Sequence, residues 1–259
     1  MSKRPILRGT SKAREGLYQL GEFPNDVIVG IGRLIVHRLA VGHADITGDD
    51  FAGIFANAIS GEHRASPLGI TDVTWNSCSW SAKTVHSDKP FTVPSLRLIS
   101  GRNSPKYSYG IKDVFEDLEA TGEAILNIWN ERVNQSLNEY DDLRIVVLVR
   151  NMSRLEFTLF EYEATRYLPK DYAWVQNAKS NLEGIERATD EHRFTWQPHG
   201  SQFTVIKDVP PSAYRFRIKK HPGFLDPQLV LNLVHFDEKW IERVDENGDA
   251  SPHAEGSGD

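Results

Sequence analysis

Gly69-Ile70-Thr71-Asp72-Val73-Thr74-Trp75-Asn76-Ser77-Cys78-Ser79-Trp80-Ser81-Ala82-Lys83-Thr84-Val85 is the stretch whose reading decides the fold. Val73 and Trp75 alternate with polar neighbours, as in a half-buried strand. Asn76-Ser77-Cys78-Ser79 is a polar cluster of turn-forming residues. The chain then returns through Trp80 to Val85, with Ala82 and Thr84 on one face and Ser81, Lys83 and Val85 on the other. A β-hairpin over about 69–86 is the expectation, and it sets Asp72 beside Lys83.

Working outward, Thr47 followed by Asp50 resembles a capping box, and Phe51, Ile54, Phe55, Ala58 and Ile59 form one apolar stripe. A helix over about 48–60 follows, ended by Gly61, with Glu62 just beyond it. Upstream, Val27, Ile31, Leu34 and Ile35 repeat at helical spacing over 27–41, and Asn25-Asp26 is placed to cap them. Downstream, 91–100 reads as a strand. Val114, Leu118, Ala124, Ile125, Ile128, Trp129 and Val133 predict a long helix over about 111–137. Arg144 to Arg150 is an almost unbroken apolar run, the pattern of a strand buried on both faces, and Leu155 to Tyr162 alternates more openly. Residues 190–220 read as strands broken at Gln197-Pro198-His199-Gly200-Ser201 and at Pro210-Pro211. Trp75, Trp80, Trp129 and Trp174 are expected in the core.

The composition sets bounds. Hydrophobic residues make up 39% of the 259 positions, enough for a sizeable core, but no run approaches the roughly 18 apolar residues of a membrane span. The N-terminus lacks the apolar segment of a secretory signal. Cys78 is the only cysteine, which excludes an intrachain disulfide and a multi-cysteine zinc site; an intracellular, cytoplasmic setting is expected. The net charge of −6 is concentrated at one end: residues 237–259 hold eight acids and two bases, so the rest of the chain is neutral overall. The first fourteen residues carry five bases and no acid, suited to phosphates or simply to solvent. The expected organisation is a basic arm over 1–24, one domain over 25–243, and an acidic, disordered tail over 244–259.

A carboxylate able to hold a hard divalent cation, next to a lysine able to steady a hydroxide or a phosphate, is the minimum equipment for metal-dependent phosphodiester hydrolysis. The arrangement resembles the active-site hairpin of the PD-(D/E)XK nucleases, in which an aspartate on one strand is followed on the next by an acid, any residue and a lysine. Asp72 matches the first position and Lys83 the last, while Ser81 stands where the middle acid is expected. Some restriction enzymes of that superfamily carry Ser-x-Lys and draw the missing carboxylate from elsewhere. Ser95–Pro105 and His192–Thr204 also look like segments of bacterial type II restriction endonucleases, and the similarity runs from about Asp45 to His221.

The resemblance implies an α/β (α+β) fold with a central mixed sheet flanked by helices, and a type II restriction endonuclease that cuts double-stranded DNA as a homodimer. Asp72 and Glu62 would hold Mg²⁺, Lys83 would position the attacking water, and Ser81 would hold a metal-bound water. Glu161, Glu163 and Asp88 are lesser candidates for the acid. Arg102 and Asn103 could bond guanine and adenine edges in the major groove, and His199, Ser201 and Gln202 form a polar bulge able to enter a groove. Plain alternatives stand beside each of these: a solvent-facing aspartate, an exposed edge lysine, a solvated Glu62, loops that meet only water or phosphate, and a His199 that packs on Trp196. At the level of the whole protein the alternatives are a related repair or defence nuclease without a palindromic site, and a DNA-binding protein whose nuclease core has decayed.

Overall fold

In the computed structural model, residues 17–64, 69–244 and 246–247 are described. Two helices open the fold, α1 (Asn25–Ala40) and α2 (Gly48–Ala58). The capping box of α2 forms as the sequence predicts: Asp50 N–H donates to Thr47 Oγ1 at 3.1 Å and Thr47 N–H donates to Asp50 Oδ2 at 3.0 Å. At α1 the expected Asn25-Asp26 cap is displaced by one residue, because Pro24 takes the N-cap position and Asn25 begins the helix. Gly30, unfavourable inside a helix, sits at the seam between the two helices, where a Cβ would lie 3.4 Å from the Ala58 Cβ, an ordinary van der Waals contact.

The chain then lays down β1 (Glu62–His63), β2 (Val73–Trp75) and β3 (Cys78–His86) as an antiparallel set. Gly61 admits this, since a Cβ there would meet the Thr74 carbonyl oxygen at 2.5 Å. The hairpin turn is tighter than expected. Trp75 pairs with Cys78, so only Asn76 and Ser77 form the loop, with Asn76 at a left-handed φ of 49°. Cys78 and Ser79 belong to the strand, and both are buried.

The next strand, β4 (Ser95–Arg102), leads into the short helix α3 (Pro105–Tyr109) and the long helix α4 (Leu118–Glu139). Helix α4 starts later than its apolar spacing suggests, because the Asp117 carboxylate caps it, accepting from Ala120 N–H at 2.9 Å. It carries the chain over to β5 (Asp142–Asn151), parallel to β3, and a hairpin gives β6 (Glu156–Glu163). The fold is completed by β7 (Tyr172–Gln176), β8 (Leu182–Glu186), β9 (Glu191–Gln197), β10 (Gln202–Asp208), β11 (Tyr214–Arg217) and a terminal helix α5 (Pro227–Leu233).

The strands form two sheets, not the single central sheet expected. One is mixed, with order β1-β2-β3-β5-β6-β11; the other is antiparallel, with order β4-β10-β9-β8-β7. The mixed sheet is covered on both faces. Helices α1 and α2 close one side, where Ile31, Ile35, Phe51, Phe55 and Trp80 are buried. The other side packs on α4 and the second sheet through Val147, Ile125, Trp129, Phe194 and Phe203. This double burial explains why β5 is apolar at nearly every position. Trp80, Trp129 and Trp174 are buried as expected, whereas Trp75 is half-buried.

The segment expected as an N-terminal arm lies largely outside the described residues. Its described end is part of the core: Leu17 and Tyr18 pack against it and Phe23 is buried. The expected acidic tail from 244 lies outside the described residues except for Val244, Glu246 and Asn247. Among the described residues, no helix is long and apolar enough to cross a membrane.

Candidate functional site

Register puts Asp72 and Lys83 together. Val73 pairs with Trp80, and Asp72 N–H donates to the Trp80 carbonyl at 2.8 Å, so the ladder continues one residue beyond β2. Asp72 therefore lies opposite Ser81, and alternation places Lys83 on the same face, the one turned towards α4. The Lys83 ammonium is 3.7 Å from Asp72 Oδ2, an ion pair longer than a hydrogen bond. Both side chains retain contact with solvent, at 24% and 31% exposure.

Asp72 Oδ2 is crowded. It accepts from Ser81 Oγ at 3.1 Å and from Ala82 N–H at 2.8 Å, as well as facing Lys83. Among the described residues Oδ1 accepts no hydrogen bond, which leaves one carboxylate oxygen for a ligand. Burial pushes the Lys83 ammonium below its usual range; Asp72 opposes that shift and the neighbouring charge of Arg132 adds to it.

Arg132, on α4, is the site residue that the sequence did not reveal. Its guanidinium donates to the Ser100 carbonyl at 3.2 Å and to the Gly69 carbonyl at 3.3 Å. A β-bulge makes the first bond possible. Phe203 pairs with Gly101 and Thr204 with Ile99, so Ser100 is the extra residue and its carbonyl is left over from the β4–β10 ladder. Gly101, at φ 130°, supplies the space, since a Cβ there would fall 1.8 Å from Arg132 Nη1. The glycine inside a strand pattern was the available signal, because such a glycine marks a bulge or a close approach. Burial lowers the Arg132 guanidinium from its ordinary value, with Asp72 opposing. The site thus combines one carboxylate with two cations. Next to it, at the end of α4, a cavity of about 400 Å³ is lined by Arg64, Gly69, Thr71, Ser136 and Tyr140 among others.

The other expected residues divide. Glu62 is exposed and lies opposite Thr74, while the residue opposite Asp72 is Arg64, whose N–H donates to the Asp72 carbonyl at 2.8 Å. Glu62 is therefore a diagonal neighbour on the same face, roughly 7–8 Å away along the ladder. Among the described residues no three His, Cys, Asp or Glu side chains form a group that could hold a metal ion. Mg²⁺ commonly takes only one or two carboxylates, completing its shell with water and phosphate oxygens. The free Asp72 oxygen fits that mode and does not fit an all-protein cage.

Glu161 has no freedom to act as the acid. Its buried carboxylate accepts from Arg144 at 2.8 Å, Trp80 Nε1 at 2.9 Å, Gly21 N–H at 2.9 Å and Tyr18 Oη at 3.2 Å. Glu163 pairs opposite Arg144 at the exposed end of β6, and Asp88 is an exposed loop residue near His86. Asn103, expected in a groove-facing loop, is fully buried. Its side-chain amide donates to the Ile125 carbonyl at 2.9 Å and its backbone carbonyl accepts from Trp196 Nε1 at 2.8 Å, so it packs β4 against α4 and β9 rather than facing a groove.

Arg102, His199, Ser201 and Gln202 are brought together. Arg102 pairs with Gln202, and Asn103 N–H ties to the Ser201 carbonyl at 2.8 Å. Arg102 and His199 are exposed, and Ser201 and Gln202 half-buried. They share the end of the second sheet at which Ser100 meets Arg132. Helix α3 follows directly, with Lys106, Tyr107 and Tyr109 exposed. Compared with family models, curated proteins and solved structures, the chain gives no match.

Proposed function

We propose that the chain is a Mg²⁺-dependent endodeoxyribonuclease of the PD-(D/E)XK type, a type II restriction endonuclease acting on double-stranded DNA as a homodimer. The observation that carries this reading is the convergence of Asp72 and Lys83 on one face of a mixed sheet, 3.7 Å apart. The element order from α2 onward supports it: helix, hairpin, strand, long helix and further strands follow one another as the resemblance implies.

In this reading Asp72 Oδ1, with Glu62 as a second carboxylate, holds the cation. Bound there, magnesium supplies Lewis-acid polarisation of the scissile phosphate and a more acidic water. Lys83 orients the attacking water and offsets the charge that develops on the phosphate. Arg132 meets the same phosphate with the N–H groups that its two carbonyl partners leave free. Arg102, His199, Ser201 and Gln202 lie along the duplex.

Incubating the purified protein with plasmid and Mg²⁺ tests the reading. Discrete bands support restriction, nicks or a smear support a repair or defence nuclease of the same type, and intact plasmid removes the hydrolase. A second reading has its own support. The Ser81 hydroxyl donates to a carboxylate oxygen where the motif calls for another acid, which suits a DNA-binding protein with a decayed nuclease core. Specific retention of DNA without cleavage would select it.

A further inference from the structure

We infer that the segment 224–244 pairs two copies of this chain about a twofold axis. This rests on the homodimer of the proposed function and names its interface, while its argument uses other residues: among the described residues no hydrogen bond or ion pair ties the segment to Asp72, Lys83 or Arg132.

Every described residue from His221 to Val244 is exposed. Eleven of them are large apolar residues, with Phe224 at 77%, Leu233 at 79% and Ile241 at 70%. Among the described residues, the segment's one hydrogen bond to the body is Leu225 N–H to the Ala40 carbonyl at 2.8 Å. Helix α5 carries apolar side chains on every side except the one where Gln228 bonds Asn232 at 3.0 Å. A helix apolar nearly all round is built to be enclosed.

Two features identify the occupant as a second copy. The first is area. These side chains expose on the order of 1,000 Å² per chain, above the few hundred Å² usual for the largest apolar patch on a monomer and similar to the ~800 Å² that each partner buries in an ordinary specific interface. The basic segment 1–16 of the same chain holds only Met1, Ile6 and Leu7 as large apolar residues, too few to match eleven. The second is self-complementarity. The run Glu238-Lys239-Trp240-Ile241-Glu242-Arg243, a 3-10 turn at Glu238–Trp240 followed by irregular chain, reads acid, base, two apolar residues, acid, base, so a twofold antiparallel approach brings the acids of one copy towards the bases of the other and apolar side chains together at the centre. An isologous interface requires this kind of self-matching.

Light scattering on the full chain tests the inference. The wild type is expected at twice the 29.3 kDa chain mass. The double variant Leu229→Glu/Leu233→Glu is expected at the single-chain mass with its far-ultraviolet circular dichroism unchanged, since both side chains are exposed. Lys239→Glu sets like charges in opposition and is expected to weaken self-association about tenfold or more, and adding Glu242→Lys restores it. A wild type that is monomeric at micromolar concentration, a dimer indifferent to the leucine substitutions, or a charge swap that fails to restore pairing would each overturn the inference. So would a monomer that binds anionic vesicles through this segment.

Discussion

Replacing Asp72 separates the structural from the chemical part of the site. In Asp72→Ala, the Ala82 N–H loses its acceptor at 2.8 Å and the Ser81 hydroxyl its acceptor at 3.1 Å. Ala82 and Ser81 are both buried, so the orphaned N–H costs about 1–3 kcal/mol and the hydroxyl, which can rotate, about 0.5–1.5 kcal/mol. Loss of the Lys83 pair adds little, because both partners reach solvent and such pairs contribute about 0–1 kcal/mol. The sum is a destabilisation of about 1.5–5.5 kcal/mol. In Asp72→Asn the amide oxygen can still accept from Ala82 N–H and Ser81, and the expected loss is under about 1.5 kcal/mol. On the proposed function cleavage behaves differently: both variants would lack the charge assigned to the cation, and both are expected to lose about 10³-fold or more. Urea unfolding followed by tryptophan fluorescence gives the first pair of numbers, and a plasmid digest in Mg²⁺ gives the second. If Asp72→Asn cleaves at the wild-type rate, the catalytic assignment is wrong; if Asp72→Ala unfolds within about 0.5 kcal/mol of wild type, the hydrogen-bond assignment is wrong.

Lys83→Met tests the partly desolvated ammonium through pH. Because the folded-state pKa of Lys83 lies below its ordinary 10.5, the unfolded chain binds more protons between the two values, and the wild type is expected to gain stability on the variant as pH rises through that window; a gap that stays constant to pH 10.5 refutes it. Four phenols act the other way on the whole protein: burial raises Tyr18, Tyr162, Tyr167 and Tyr172 above their ordinary 10.0, so stability is expected to fall as pH climbs beyond 10 in wild type and variant alike, which circular dichroism will follow. Gly101→Ala is expected to push Arg132 off the Ser100 carbonyl and to weaken retention of short duplex DNA on a filter, with Arg132→Ala giving the same loss and no further loss in the double variant; additive losses refute the shared route. Gly122→Ala sets a helix-propensity gain of about 1 kcal/mol against a Cβ that falls 2.2 Å from the buried Trp174 ring. A net loss of about 2 kcal/mol in thermal unfolding is expected, and a raised Tm refutes the packing.

What was legible in the sequence follows the range of the interactions concerned. The capping box at Thr47 and Asp50, the stripe of α2 and the doubly buried β5 are read from neighbours within one element, and they are where expected. The Asp72–Lys83 pair was legible because a two-residue turn makes register nearly local. The partner of β4 was not. Its alternating burial says that one face is covered and leaves open which strand lies beside it, and its hydrogen-bonded neighbour, β10, is about a hundred residues away. Asn103 was misplaced for the same reason: a polar residue after a strand resembles a loop until Ile125 and Trp196 arrive to pair with it. Arg132 lay hidden in an amphipathic helix, since only the bulge at Ser100 and the carbonyl of Gly69 turn its charge towards the site.

Charge balance gives Ser81 a physical meaning. A carboxylate at that position would face Asp72 Oδ2 at hydrogen-bond distance, a repulsion that persists until a cation enters between them. The hydroxyl donates instead, and with Ala82 N–H and Lys83 it saturates one oxygen of Asp72 in the free protein. Arg132 and Lys83 then outnumber Asp72 at the centre of the pocket, with Glu62 an exposed carboxylate at its edge, on a chain whose total charge is −6. Such a pocket attracts a phosphate before it attracts a divalent cation. On the proposed function, the phosphate oxygens supply the negative charge that the missing acid does not, so cation affinity depends on bound DNA. The same positive pocket serves a DNA-binding protein equally well, and the two differ only in whether Asp72 Oδ1 and Glu62 suffice once the phosphate is in place.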